Sequence, residues 1–287
     1  MQKQNYLCKS CGKQFVFRQK IDSQLLYKEY VFGKQTLKQL SHKYKISVST
    51  IQRKLSTVHS TRIISSSKSV IVLMDTTYWG RNFGVVIMKD SYTGKILWRK
   101  FIFRKETLAD YKEGVEWLVE NGFHIEGIVC DGLRGMFQLF SRYRVQMCQF
   151  HQVSIVKRYL TQNPELEASK ELLQIIRLLC HTDKERFAGM FEDWYNKWSD
   201  FIRERYIERK TGKKRYVHCR LRSAYLSIKR NMLYLWTWYD NSDVKIPHTN
   251  NGLEGKITDL KSKLRNHNGL SKTHRMIFID EYFKGSF

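Results

Sequence analysis

Residues 70–103 read VIVLMDTTYWGRNFGVVIMKDSYTGKILWRKFIF, and the order within this run decides the fold. Three apolar stretches rich in β-branched and aromatic residues are separated by an Arg81-Asn82 turn and by SYTG, the pattern of three successive strands. Toward the C-terminus, Leu108, Tyr111, Val115, Leu118 and Val119 recur at helical spacing, and Asn121-Gly122 closes that helix. IEGIVC then reads as a strand running into Asp131, and after a short helix RVQMC reads as a strand ending on Cys148.

A three-strand meander, a helix, a strand, a short helix and a strand is the order of an α/β, RNase H-like core, a mixed sheet flanked by helices. Such a core sets catalytic acids at the ends of neighbouring strands. Asp75 and Asp131 fit that description, because each sits where an apolar run meets a glycine-bearing loop. Glu254, in TNNGLEGKITDLKSKLRN, is expected to open a basic helix. Each acid alone also has a bland reading. Strand-end aspartates are commonly turn or cap residues, as Asp90 and Asp110 read here, and a glutamate in a first helical turn is favoured by the helix dipole.

Together the three acids suggest a Mg²⁺ or Mn²⁺ site. Two such ions about 4 Å apart activate a water or hydroxyl on one side of a phosphodiester and stabilise the leaving oxygen on the other. These hard cations take oxygen ligands and retain waters, so two or three convergent carboxylates suffice. Lys261 lies two turns beyond Glu254 on nearly the same helix face, where it can hold a phosphate; Lys263, Arg265, Lys272 and Arg275 continue that surface.

N-terminal to the strands, residues 63–69 read as a linker, and residues 21–62 as a helix-turn-helix. Thr36 caps a helix with Leu37, Leu40 and Tyr44 inward, a turn follows at Lys45 to Val48, and Ser49 caps a second helix with Ile51 and Leu55 inward. Thr50, Gln52, Arg53 and Lys54 are left outward for a DNA groove, the alternative being a helical hairpin with a solvated basic face. In residues 1–20, Cys8 and Cys11 form a CKSC knuckle, half of a zinc ribbon. A structural Zn²⁺ needs four ligands and no second CxxC exists, so Cys8 and Cys11 leave zinc a possible cofactor but not the expected one.

The core is expected to run over 70–160, to be interrupted by an all-helical insertion at 161–245, and to resume at 246–287 with the Glu254 helix. In the insertion, Phe187, Met190, Phe191, Trp194, Trp198 and Phe201 form a helical stripe most simply read as core. TGKKRY, with Lys213, Lys214 and Arg215, reads as a basic loop along a phosphate backbone. The 287 residues carry 51 Lys and Arg against 27 Asp and Glu, a net charge of +24 that favours a polyanionic partner. No apolar run approaches the roughly 18 residues of a membrane span, no signal peptide is evident, and the six irregularly spaced cysteines read as reduced thiols, so a soluble intracellular protein is expected.

Asp75 after its apolar strand, DGLRG at 131–135, QMCQFH at 146–151 and TNNGLEGKITDLK at 249–261 give the chain a resemblance to DDE transposases of the Mutator-like group and their bacterial insertion-sequence relatives. The resemblance covers most of residues 70–275. It implies that Asp75, Asp131 and Glu254 ligate Mg²⁺ or Mn²⁺, that Cys148 and His151 match a CxxH motif with a structural or DNA-positioning role, and that Asn251 orients the glutamate loop. It also implies double-stranded DNA, both element ends and target, as partner, a dimer or higher oligomer on that DNA, and a cytoplasmic, nucleoid-associated location in a bacterium. The half ribbon departs from the family pattern. A structure-specific RNase H-like nuclease and an inactive transposon-derived DNA-binding protein are the rival readings.

Overall fold

The computed structural model describes residues 5–15, 21–58, 69–267 and 269–285. The chain forms two compact units, Met1–Arg62 with Asp259–Ser286, and Ile63–Thr258. Of the expected linker, only Ser69 lies among the described residues, and it opens a strand.

The first unit begins with a small antiparallel hairpin, β1 (Tyr6–Leu7) and β2 (Gln14–Phe15), whose turn carries Cys8 and Cys11. Three helices follow: α1 (Ser23–Val31), α2 (Leu37–Tyr44) and α3 (Val48–Ser56). Asp22 caps α1, and Thr36 with Gln39 forms a reciprocal capping box on α2. Lys45 turns the chain in the left-handed region, and Ser47, not the expected Ser49, caps α3 by accepting from Thr50 N at 3.2 Å. The cap moves upstream because the single left-handed residue reverses the chain within three residues, leaving Ser47 already extended and aimed at the first turn. Leu26, Leu40, Ile51 and Leu55 fill the space between these helices.

In the second unit, β3 (Ser69–Tyr78), β4 (Gly84–Asp90) and β5 (Ile96–Ile102) form the antiparallel meander. After α4 (Leu108–Glu120) come β6 (His124–Cys130), α5 (Met136–Leu139), β7 (Val145–Met147) and α6 (Gln149–Leu160). The sheet order is β5-β4-β3-β6-β7, with β3, β6 and β7 mutually parallel. This mixed five-stranded sheet with flanking helices is compatible with an RNase H-like core. α4 lies close on the sheet because Gly114 has no side chain: a Cβ there would stand 2.5 Å from Met88 Cε and 2.7 Å from the Trp98 ring.

The segment after α6 contains α7 (Glu167–Leu178), a 3₁₀ turn (Leu179–His181), α8 (Lys184–Arg203), α9 (Cys219–Leu235) and α10 (Thr237–Asp240). It is not all-helical as expected, because β8 (Arg205–Ile207) and β9 (Lys214–Tyr216) form an antiparallel hairpin between α8 and α9. Gly212 at φ 65 allows the tight return, which turns the expected basic loop into the tip of a β-ribbon. Phe187, Phe191, Trp194 and Trp236 are buried, so these aromatic rings build the core of this region. Gln146 and Gln149 both donate to Leu235 O, tying α9 to the end of the sheet.

α11 (Asn251–Arg265) is followed by α12 (Lys272–Gly285). The expected C-terminal core segment at 246–287 is therefore divided: residues to Thr258 belong with the sheet, and those from Asp259 with the N-terminal helices. Within that unit the Tyr30 ring packs 5.8 Å from Phe278 and 4.3 Å from His267.

Candidate active site

Asp75 lies within β3 rather than at its end, a departure from the strand-end expectation. Its position is special because its parallel neighbour stops there. Leu73 is level with Val129, and β6 ends at Cys130, so continuing the register sets Asp75 level with Asp131. Cys130 is in turn level with Met147, which sets Asp131 level with Cys148. Three chemically capable side chains thus stand in one row across adjacent strands, at the roughly 4.8 Å strand spacing. β3 can run on past this row because its other neighbour, β4, continues to pair with it through Tyr78.

α11 delivers Glu254, and the residue that aims this helix is Asn250, not the expected Asn251. Asn251 is exposed, whereas Asn250 is fully buried. The Asn250 amide nitrogen donates to Met74 O at 2.9 Å, one residue before Asp75, and its backbone N–H donates to Cys148 Sγ at 3.3 Å. Its carbonyl accepts from Glu254 N at 3.1 Å. Helical phase carried the missed signal: Asn250 precedes Leu253, Ile257 and Leu260, all buried, at the same spacing. Lys89 secures the helix start from another side, donating to Gly252 O at 2.7 Å, and Lys256 donates to Gly94 O at 2.7 Å. Burial, with Lys89 nearby, lowers the Lys256 amine to about 8.

His151, in the first turn of α6, brings its Nε2 to 3.8 Å from Glu254 Oε1. Burial opposes its protonation, but interactions with Cys148 and the charges of Asp75 and Asp131 prevail and hold the imidazole protonated to about 9. The half-buried Asp75 carboxyl is pushed up to about 6, first by desolvation and further by the charges of Asp131 and Glu254. His151 and one hydrogen bond from Thr76 N, at 2.7 Å, work the other way and do not prevail. Asp131 accepts from Leu133 N at 3.1 Å. Glu254 Oε1 and His151 Nδ1 are buried without a hydrogen-bond partner.

The cluster fits a divalent cation on these observations. Two acids whose charges raise the Asp75 pKa, with a buried Glu254 oxygen left without a hydrogen bond, leave the cluster short of positive charge even beside the His151 imidazole. Among the described residues, the three acids do not form a set with ligand atoms all within 4.8 Å of one another. The set that does is Cys148, His151 and Glu254. A wider spacing suits two ions sharing ligands, each completed by water and phosphate. Cys8 and Cys11 belong to no such set: the Cys8 thiol is lowered to about 6 chiefly by its hydrogen bond with Ser10, and among the described residues no third ligand joins them.

The residues expected to meet DNA divide. Gln52, Arg53, Lys213, Lys214, Arg215 and Arg265 are exposed, and Lys261 is half-buried. Lys54 is corrected, because its Nζ donates to Ile21 O at 3.1 Å within its own unit. Lys263 is corrected too: it is buried and paired with both Asp259 oxygens at 2.7 and 2.8 Å, so its charge is spent inside the fold. A helical i,i+4 acid–base pair next to a buried face draws the lysine inward.

No family model matches the sequence, and no curated protein matches it. Among solved structures, the Drosophila P element transposase strand transfer complex is similar at TM-score 0.36 and 13% identity, over 91% of this chain and 84% of that one. A likeness of that size establishes neither a family nor an activity. Among the described residues, no helix is long and apolar enough to cross a membrane.

Proposed function

We propose that the chain is a metal-dependent polynucleotidyl transferase, a transposase that cuts DNA at the ends of a mobile element and joins the freed 3′-hydroxyls to target DNA. The observation that carries this reading is the alignment of Asp75 and Asp131 on adjacent parallel strands, with Glu254 close enough to raise the Asp75 pKa. Asp75, Asp131 and Glu254 would hold Mg²⁺ or Mn²⁺. The bound ions would supply nucleophile activation and charge stabilisation at a phosphodiester. The chain's own residues do the rest. The sheet fixes the two aspartates, and Asn250 and Lys89 lock the helix that presents Glu254. His151 sets a protonated imidazole beside that carboxylate, where it offsets the negative charge that approaching phosphates add. The overall charge of +24 draws the polyanion in.

Incubating the protein with Mn²⁺ and DNA carrying the sequences that flank its reading frame tests this. Cleavage followed by strand joining is expected, and Asp131→Asn should abolish both while leaving DNA binding intact. Cleavage without joining would identify a nuclease instead. Asp131→Asn protein that cuts at the wild-type rate would remove the acid cluster from the chemistry.

A further inference from the structure

Away from the acids, the strongest unpartnered feature is the hairpin of β8 and β9. Its register pairs Arg205 with Tyr216, Tyr206 with Arg215 and Ile207 with Lys214. Strand alternation therefore puts Arg205, Ile207, Lys214 and Tyr216 on one face, and Tyr206 and Arg215 on the other. The acids Glu204 and Glu208 fall with the second face, where Glu208 pairs with Arg215 at 3.0 Å. The first face carries no carboxylate. There Arg205 donates to Tyr216 Oη at 2.6 Å, and the Arg205 and Arg222 guanidinium groups lie 4.6 and 4.1 Å from the Tyr216 ring. Ile207, on the same face, is 62% exposed. At the tip, Arg209, Lys210 and Lys213 are exposed, and neither they nor Lys214 form an ion pair among the described residues.

An exposed isoleucine among cations, on a narrow ribbon whose acids are all turned to the opposite side, is a surface made for a polyanion with an apolar floor. We propose that this hairpin is a β-ribbon that enters the major groove of duplex DNA. Arg209, Lys210, Lys213 and Lys214 meet the phosphates on the groove walls, and Ile207 touches base edges. The major groove of B-DNA, about 12 Å wide, admits a two-stranded ribbon and presents thymine methyl groups to apolar side chains. The A-form groove of RNA is too deep and narrow to admit it, so DNA is the partner that fits. The Arg205–Tyr216–Arg222 stack stiffens the base of the ribbon, so entry orders little that is not already ordered. The inference rests on the proposed function only in taking DNA as the partner.

Binding by the full chain is measured by fluorescence anisotropy in EDTA, with a mixed-sequence DNA duplex and the RNA duplex of the same sequence, across a salt series. Without metal no cleavage occurs, so a failure of the catalytic reading leaves this readout intact. Lys213→Ala with Lys214→Ala is expected to reduce the slope of log affinity against log salt by about 2, one unit per lost phosphate contact. Ile207→Ser is expected to weaken DNA binding about 5- to 10-fold at unchanged salt slope and unchanged RNA affinity, with Ile207→Leu close to wild type. Both positions are exposed, and an unchanged thermal midpoint verifies folding in each variant. The proposal is overturned if the double variant keeps the wild-type slope, if Ile207→Ser binds DNA as wild type does, or if it loses DNA and RNA equally.

Discussion

Two acidic corners of the sheet unit treat the same functional group in opposite ways. Asp110, at the start of α4, is buried and fully answered: Arg104 donates to both of its oxygens at 2.7 and 2.9 Å, Lys100 lies at 3.0 Å, and Thr107 contributes its backbone N–H and hydroxyl. Although burial favours the neutral form, these partners hold the carboxyl well below the usual carboxylate range. Asp75 has one backbone N–H, a nearby imidazolium and two further acids, and its pKa rises to about 6. The first corner is complete within the chain, while the second is left short of positive charge, the gap that the proposed cation would fill. On the proposed function, that contrast separates a structural carboxylate from a functional one more sharply than burial does.

Substitutions at the two corners test the contrast in graded steps. The largest effect is expected from Asp75→Asn on metal-dependent cleavage, a loss of more than about 100-fold, since removing even an outer partner of a metal ligand typically costs 10- to 100-fold. Activity within a few-fold of wild type would end the functional reading of this corner. Asp110→Ala is expected to destabilise the fold by about 1–3 kcal/mol, through loss of the α4 capping box and of hydrogen bonds to charged groups. Urea unfolding measures it. A negligible change there would mean that the answered corner contributes nothing.

Asp75→Asn should do the opposite to the metal-free protein, stabilising it by about 1–2 kcal/mol at neutral pH, because a desolvated charge among like charges is removed. The smallest signal is the pH slope. The folded pKa of Asp75 is raised, so its contribution is fully present below the unfolded value of about 3.9 and is lost as pH rises through about 6. Asp110 has a lowered folded pKa, so its contribution is present above about pH 4 and is lost on further acidification. Between about pH 4 and 6, metal-free wild-type protein should therefore gain stability on acidification while Asp75→Asn does not, and saturating Mg²⁺ should flatten the wild-type slope. Parallel slopes would show that Asp75 is not desolvated.

Much of this contrast is legible in the sequence. Apolar runs rich in β-branched residues, with turn residues between them, mark the meander and the two later strands, and Asp90 and Asp110 read correctly as local turn or cap residues. Asp90 accepts from Tyr92 N and Thr93 N, a turn interaction that short spacing reveals. Residues whose role depends on distant partners are the ones that mislead. The resemblance points to Asn251 rather than Asn250 because motif matching shows neither the Met74 carbonyl nor the Cys148 sulfur. Helix phase points Lys54, and the basic run points Lys263, toward DNA because neither reveals an internal acceptor. The hairpin tip reads as a loop because strands of three residues have too short a period to register.

Strand order, excess positive charge and the presence of the three acids follow from the chain taken alone, because they depend on local periodicity and composition. That Asp75 and Asp131 stand level, that His151 faces Glu254, and that one carboxylate is fully paired while another is left with few partners emerge only with the folded sheet. Register between strands far apart in the chain, and the direction of a buried side chain, are set by packing of the whole sheet and not by any one segment's pattern.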